Sequence, residues 1–250
     1  MRHLTILTGA SRGMGFAMAQ QLLAAGHDLV CLSRRPSDEL AAAAARAGRQ
    51  LEQWPQDLSR AATAAAKLET WLQDQDASTV ASATLINNAG TIPLIAPLDE
   101  IAPTQLADAL RVDLEAPMLL TGAFLRATAA WQAPRKVLNI SSGLGRRAMA
   151  AQAAYCAAKA GMDHFTRCVA LEQERLPNGA RVCSLAPGVI DTDMQAQLRG
   201  AEPQRFPDIG SFVGLKEKGM LSSPQDAAQR VLAFLARADF GAHPVADVRD

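Results

Sequence analysis

A glycine-rich turn set between a strand and a helix at the start of the chain constrains the fold more than any other feature. Residues 3–8 are apolar and β-prone, Thr8-Gly9-Ala10-Ser11-Arg12-Gly13-Met14-Gly15 follows, and Phe16 to Ala25 carries helix formers with Gly26 as a stop. Glycines let a backbone come close to a pyrophosphate, and the helix behind them offers unpaired N–H groups and a positive dipole end. A glycine motif alone carries little weight. At the first β-α junction it points to a bound dinucleotide, cradled by Gly9, Ser11, Arg12, Gly13, Met14 and Gly15.

The second strand, Asp28 to Leu32, runs into Ser33-Arg34-Arg35-Pro36. Dinucleotide sites that bind a free ribose 2′-OH carry an acid at this place. Here Ser33 holds it, with Arg34 and Arg35 after it and Arg12 in the glycine turn. Guanidinium groups suit a 2′-phosphate and no carboxylate repels it, so NADP(H) is expected over NAD(H). Ser37 and Asp38 cap a helix through Leu40 to Ala47, which Gly48 ends. Residues 50–54 read as a third strand, with Asp57 and Leu58 at its exit. Asp57 accepts from an adenine amino group, or caps the helix Arg60 to Leu72, or both.

The fourth strand, Ala83 to Ile86, ends in Asn87-Asn88-Ala89-Gly90, small residues and amides where open α/β sheets bind ligands. A helical pattern from Pro103 to Ala130 is interrupted by Pro117. A fifth strand (135–140), a helix (151–175) and a sixth strand (180–185) follow, and Pro187-Gly188-Val189-Ile190-Asp191-Thr192 leaves as a loop able to touch a nicotinamide. The weakly periodic stretch after it, rich in glycine and proline, reads as a substrate lid over about 190–222. A helix from Pro224 to Ala236 and a strand from Pro244 to Val248 close the chain. Strand and helix alternate with no linker or repeat, which predicts an α/β fold: one domain over 1–250, a doubly wound parallel sheet flanked by helices.

Tyr155, the only tyrosine, and Lys159 stand four residues apart in an Ala-rich helix, so both leave one face. Such pairs are more often surface pairs than catalytic ones, but here a nucleotide site accompanies them. A cation beside the phenol is expected to pull its pKa below the free value of about 10. Ser141 and Ser142 end the preceding strand, where a hydroxyl could bind the oxygen that the tyrosine protonates.

Basic and acidic residues balance at 25 each, so no global field draws nucleic acid or an anionic membrane. Four cysteines (Cys31, Cys156, Cys168, Cys183) and four histidines are scattered, without C-x-x-C or metal-ligand spacing. No metal is expected, and the thiols suit a reducing compartment. The chain enters a strand at once and holds no apolar run long enough for a bilayer, so the cytoplasm is the expected location.

Taken together, Thr8-Gly-x-x-x-Gly-x-Gly15, Asn87-Asn-Ala-Gly90, Ser142, Tyr155-x-x-x-Lys159 and Pro187-Gly188 resemble the short-chain dehydrogenase/reductases, over residues 8–192. The resemblance implies a Rossmann-type fold. It implies that Ser142, rather than Ser141, positions a substrate carbonyl and that Tyr155 is the proton donor. Lys159 would bind the nicotinamide ribose and lower the tyrosine pKa. Asn88, Ala89 and Gly90, with Pro187, Gly188, Val189 and Thr192, would line the cofactor. Asp113 stands where the family has an asparagine that holds a relay water. It can still accept from water and from Lys159, or its charge raises the tyrosine pKa and moves the pH optimum upward.

Pro187 to Gln195, Phe212 to Gly219, Gly241 to His243 and Asp247 to Asp250 resemble the sepiapterin reductase branch, to which benzil-type diketone reductases belong. That likeness makes Asp247 either a substrate anchor or an exposed terminal carboxylate, and makes Gly143 and Leu144 walls of the carbonyl pocket. The implied activity is NADPH-dependent reduction of a vicinal diketone or α-hydroxyketone, a small-molecule partner. Reduction of another ketone class, such as 3-oxoacyl thioesters, or a non-catalytic NADP(H)-binding regulator are the alternatives. A homodimer or homotetramer is implied, with Ala151 to Ala160 and Leu106 to Ala130 as candidate contact surfaces.

Overall fold

The strands carry nearly continuous apolar runs, and a computed structural model, which describes residues 1–250, buries successive residues on both faces of the sheet. In β1 (Arg2–Thr8), Leu4 and Ile6 face one layer and Leu7 the other. Two-sided burial demands helices on both faces, which is the condition of a parallel sheet. The chain supplies them in order: α1 (Gly13–Ala24), β2 (His27–Ser33), α2 (Asp38–Ala47), β3 (Leu51–Pro55), α3 (Ala61–Gln73) and β4 (Val80–Asn87). Then come α4 (Pro103–Leu110), α5 (Ala116–Ala127), β5 (Arg135–Ile140), α6 (Ala153–Glu174) and β6 (Arg181–Ala186). The last elements are α7 (Asp193–Arg199), α8 (Ile209–Glu217), α9 (Pro224–Ala236) and β7 (Val245–Asp247).

All seven strands are parallel, in the order β3-β2-β1-β4-β5-β6-β7. The expected doubly wound α/β sheet is therefore present. One face packs against α3, α5 and α6 through Leu68, Leu72, Leu120, Phe124 and Val169. The other packs against α1, α2 and α9 through Met18, Leu22, Leu40, Val231 and Leu235. Each such leucine or phenylalanine contributes about 1.5–3 kcal/mol by leaving water.

The strand order reverses between β1 and β4, and the crevice beyond their carboxyl ends is where such sheets hold ligands. Thr8 ties the two ends together. Its Oγ1 accepts from the N–H groups of Asn88 and Ala89, both at 2.9 Å, while Asn88 Nδ2 donates to the Thr8 carbonyl at 3.0 Å. Gly9 takes φ +72°, and a Cβ there would lie 2.9 Å from Ala89 Cα. At Gly15 a Cβ would lie 2.1 Å from the Gly9 carbonyl oxygen and 2.4 Å from Asn88 Nδ2.

Between α4 and α5 the helical pattern does break, but ahead of Pro117 rather than at it. Arg111–Glu115 forms a π-turn in which Ala116 N–H reaches back to the Arg111 carbonyl, and Pro117 sits in the first turn of α5. Proline has no N–H to offer the carbonyl four residues earlier, that of Asp113, so the wider turn absorbs the missing bond. Residues 190–222 leave the sheet as one excursion closed at its base. Asp191 N–H donates to the Ser222 carbonyl at 2.9 Å and Ser222 N–H to the Val189 carbonyl at 3.0 Å. The irregular lid expected here contains α7 and α8, held down by the fully buried Phe206.

Gly15→Ala is expected to destabilise the protein by about 2–3 kcal/mol, because backbone rather than a flexible side chain fills the space. Urea unfolding measures this loss. The substitution should also weaken nucleotide binding, read by titration with NADPH.

Candidate active site

A cleft of about 1230 Å³ opens at the carboxyl ends of the strands. Its nucleotide end is built from the glycine turn. Gly9, Ser11, Arg12, Gly13, Met14 and Gly15 all line it, with Ser33, Arg34, Asp57 and Leu58 beyond. No side chain caps α1, and its first turn lines the cleft, so its first N–H groups are open to a ligand there. Ser33 Oγ accepts from Ala10 N–H at 3.0 Å, fixing the end of β2 to the turn. Asp57 caps its own helical turn through Ser59 N–H at 3.0 Å; that bond comes first among the causes holding its carboxyl low, with the Arg34 charge a smaller one.

The three arginines do not converge as expected. Arg34 lines the cleft, but Arg35 is exposed outside it. Arg12 Nη1 pairs with Asp193 Oδ2 at 2.6 Å, joining the glycine turn to the first residue of α7. Sequence reasoning passed over Asp193 because nothing local marks it as a partner of a residue near the N-terminus.

Asn88, Ala89, Gly90, Pro187, Gly188, Val189 and Thr192 line the middle of the cleft, and Ser142, Gly143, Leu144, Tyr155 and Lys159 its far end. Lys159 Nζ lies 5.5 Å from the Tyr155 ring centroid and donates to the Ile140 carbonyl at 3.1 Å. Ser142 Oγ accepts from Leu144 N–H at 3.1 Å and faces the same cleft as Tyr155, whereas Ser141 Oγ is buried without a partner. Asp113 lies behind the cleft, fully buried. Its Oδ1 accepts from Thr91 N–H at 2.9 Å and its Oδ2 has no partner. A Cβ on Gly90 would lie 3.1 Å from Asp113 Oδ1 and 3.7 Å from Lys159 Nζ, so the acid and the ammonium both approach that glycine without forming an ion pair with each other.

The electrostatics correct one expectation. Tyr155 is raised above the ordinary phenol value, first by burial and then by the Asp113 charge, with the Ser142 hydroxyl acting against them. Burial also disfavours the Lys159 charge, although Asp113 and Asp163 support it. Burial pushes the Asp113 carboxyl up to about 6, against the pull of Lys159 and of Thr91 N–H. The phenol is consequently protonated through the neutral range, the state a proton donor needs.

Asp247 lines the outer end of the cleft with both oxygens engaged. Arg249 Nε donates to Oδ1 and Nη2 to Oδ2, each at 2.7 Å, and Arg249 N–H donates to Oδ1 at 3.1 Å. The Arg249 guanidinium holds this carboxyl below its usual range. Around Tyr155 stand Ile92, Ile95, Leu198, Phe206 and Phe212, one buried apolar cluster. This wall went unread in the sequence. The two phenylalanines were its signal, masked by glycine and proline in a segment without period.

Asp113→Asn tests the buried charge. A carboxyl that titrates near 6 when folded, against an ordinary 3.8, contributes full stability only below the ordinary value and loses it as pH rises through 6. Above that pH the ionised form costs up to about 3 kcal/mol, at 1.36 kcal/mol per pKa unit. The asparagine variant should therefore gain stability at neutral pH and little at acid pH in urea unfolding. Its phenol should ionise at lower pH, followed by phenolate absorbance of the single tyrosine.

Comparison with known proteins agrees with this geometry. The family model described as short chain dehydrogenase matches residues 3–203. A benzil reductase ((S)-benzoin forming) of Bacillus cereus is 35 % identical over 240 residues, 96 % of this chain and 96 % of that protein. Sepiapterin reductase of Bos taurus is 33 % identical over 257 aligned positions, 97 % of this chain and 93 % of that protein. A crystal structure of a metagenomic short-chain oxidoreductase in complex with NADP superposes with a TM-score of 0.71 at 27 % identity, covering 98 % of this chain and 94 % of that one. The chain belongs to the short-chain dehydrogenase family and is an oxidoreductase of that family, acting between carbonyl and hydroxyl groups.

Proposed function

We propose that the protein is an NADPH-dependent reductase of vicinal diketones or α-hydroxyketones, and that aryl diketones of the benzil type suit it better than pterins. The apolar lining beside Tyr155, formed by Ile92, Leu144, Met149, Leu198 and Phe212 and backed by the buried Ile95 and Phe206, carries this reading, because a flat aryl group beside the reacting carbonyl fills such a lining without unpaired polar atoms. The likeness to the benzil reductase of Bacillus cereus supports it. A pterin edge seeking Asp247 would first have to displace Arg249 from both carboxylate oxygens.

The site fits a nicotinamide dinucleotide. The glycine turn has no room for a Cβ, the N-terminus of α1 is uncapped, and Ser33 with Arg34 stands at the end of β2 with no carboxylate in the place of Ser33. The N–H groups of Gly13 to Gly15 would hold its pyrophosphate and Arg34 its 2′-phosphate, joined by Arg12 on release from Asp193. When bound, NADPH supplies the hydride that reaches the carbonyl carbon. Ser142 Oγ donates a hydrogen bond to the carbonyl oxygen and Tyr155 gives that oxygen its proton. Lys159 holds the ribose, and Asp113 accepts through its free Oδ2 from the water or ammonium behind the tyrosine. Residues 190–222 act as the lid that excludes water.

No helix is long and apolar enough to cross a membrane, and four unpaired cysteines fit a cytoplasmic setting. For a homodimer or homotetramer the free surface is on α4, α5 and α6, where Leu110, Met118 and Leu171 are exposed. Within Ala151 to Ala160, Ala154 and Ala158 are buried in the chain's own core, and Ala153, Ala157 and Ala160 are exposed on α6 as a small-residue face.

Steady-state assay of benzil, sepiapterin and an acetoacetyl thioester with NADPH tests the substrate class, with the highest kcat/KM expected on benzil. No turnover of either diketone overturns it. Tyr155→Phe should lower kcat by about 10²-fold or more with NADPH still bound, and surviving activity would assign the proton to another group. Arg34→Ala should weaken NADPH roughly ten-fold more than NADH, about 1.4 kcal/mol, in a binding titration.

A further inference from the structure

We infer that Arg146 is a positioning residue for the reduction, one guanidinium that locks the serine turn to the catalytic helix and to the C-terminal strand. Arg146 Nε donates to Asp163 Oδ2 at 3.2 Å, and Nη2 donates to the Ala246 carbonyl at 2.8 Å. Asp163 is buried on α6 one turn beyond Lys159, and its Oδ1 accepts from Ser184 Oγ of β6 at 2.7 Å. The turn that begins at Ser142 lies directly on the same helix. A Cβ on Gly145 would stand 3.0 Å from the Lys159 carbonyl and 3.1 Å from Asp163 Oδ2.

Ser142 is held at the near end of its turn by Leu144 N–H and at the far end by the Arg146 fork. The second arm of the fork ends one residue before Asp247, so the serine and the outer wall of the cleft move together. Ser142 and Tyr155 must address one oxygen at once, and a misplacement of about 1 Å costs on the order of 10²-fold in rate. A lysine at this position offers a point charge and cannot reproduce a planar fork aimed in two directions. Asp163 alone would be a buried, half-paired carboxylate.

The inference rests on the carbonyl reductase reading, and the test separates the two. Arg146→Ala, Arg146→Lys and Asp163→Asn are compared with the parent for kcat, KM on benzil and NADPH affinity. The single tyrosine, replaced biosynthetically by fluorotyrosine, gives one fluorine NMR resonance beside Ser142. In Arg146→Ala, kcat should fall roughly ten- to hundred-fold while the NADPH Kd stays within about two-fold, since the glycine turn is untouched. Arg146→Lys should recover part of the loss. The Arg146→Ala/Asp163→Asn double variant should be no worse than the poorer single, and the resonance should shift in both singles.

Parental kcat/KM in Arg146→Ala or Arg146→Lys overturns the inference, as does NADPH affinity lost in step with kcat. Should Arg146→Ala fail to fold, Arg146→Lys and Asp163→Asn carry the same comparison. A parent that reduces no diketone defeats the substrate reading by itself. The resonance then decides the clamp, and an unmoved signal in the variants defeats it.

Discussion

The backbone of the first glycine turn lies against the end of β4 with no space between them, and the rest of the site depends on that approach. Gly9 and Gly15 meet Ala89 and Asn88 at distances a side chain would close, and Thr8 hydrogen-bonds both β4-end amides across the reversal of strand order. The contact does two things at once. It brings β1 and β4 to one level, so the uncapped start of α1 and the Asn88–Gly90 segment face the same cleft. It also leaves the floor beneath Gly90 to Asp113 and Lys159, whose polar atoms sit where a larger residue would stand.

That floor is the costly part of the molecule. An acid and an ammonium are buried together, and one oxygen of the acid has no partner. Burial pushes the acid up and the ammonium down, and burial together with the acid's charge raises the phenol. The arrangement keeps Tyr155 protonated, unlike one tuned for a phenolate. The π-turn is what makes it possible. Pro117 leaves the Asp113 carbonyl without its usual donor, and the widened turn carries the Asp113 side chain inward beneath Gly90.

What the sequence made legible was what short-range chemistry dictates. Apolar, β-prone runs marked the strands, Ser37 and Gly48 bounded α2 as capping rules require, and the glycine turn announced its own use. The i, i+4 spacing placed Tyr155 and Lys159 on one face, but it could not say what else was buried with them. The lysine alone suggested a lowered phenol pKa. Desolvation and Asp113, forty-two residues earlier in the chain, reverse the sign. The arginines around β2 show the same limit: Arg12 and Arg34 line the cleft and Arg35 does not, and the Arg12 pairing with Asp193 joins residues far apart in sequence.

The two ends of the cleft thus differ in how they are encoded. The nucleotide end comes from strand termini, whose geometry follows from local pattern and the sheet. The substrate end is assembled from segments far apart in sequence: Ile92 and Ile95 after β4, Phe206 and Phe212 in the excursion, and Asp247 with Arg249 at the end. Such a wall is held by packing, which many apolar residues satisfy, so it can change without disturbing the sheet. The serine turn cannot. It has to stay in register with Tyr155 while that wall varies, and a turn of small residues has no core of its own to fix it. A guanidinium fork tying it to α6 and β7 supplies the rigidity that the turn's own residues lack.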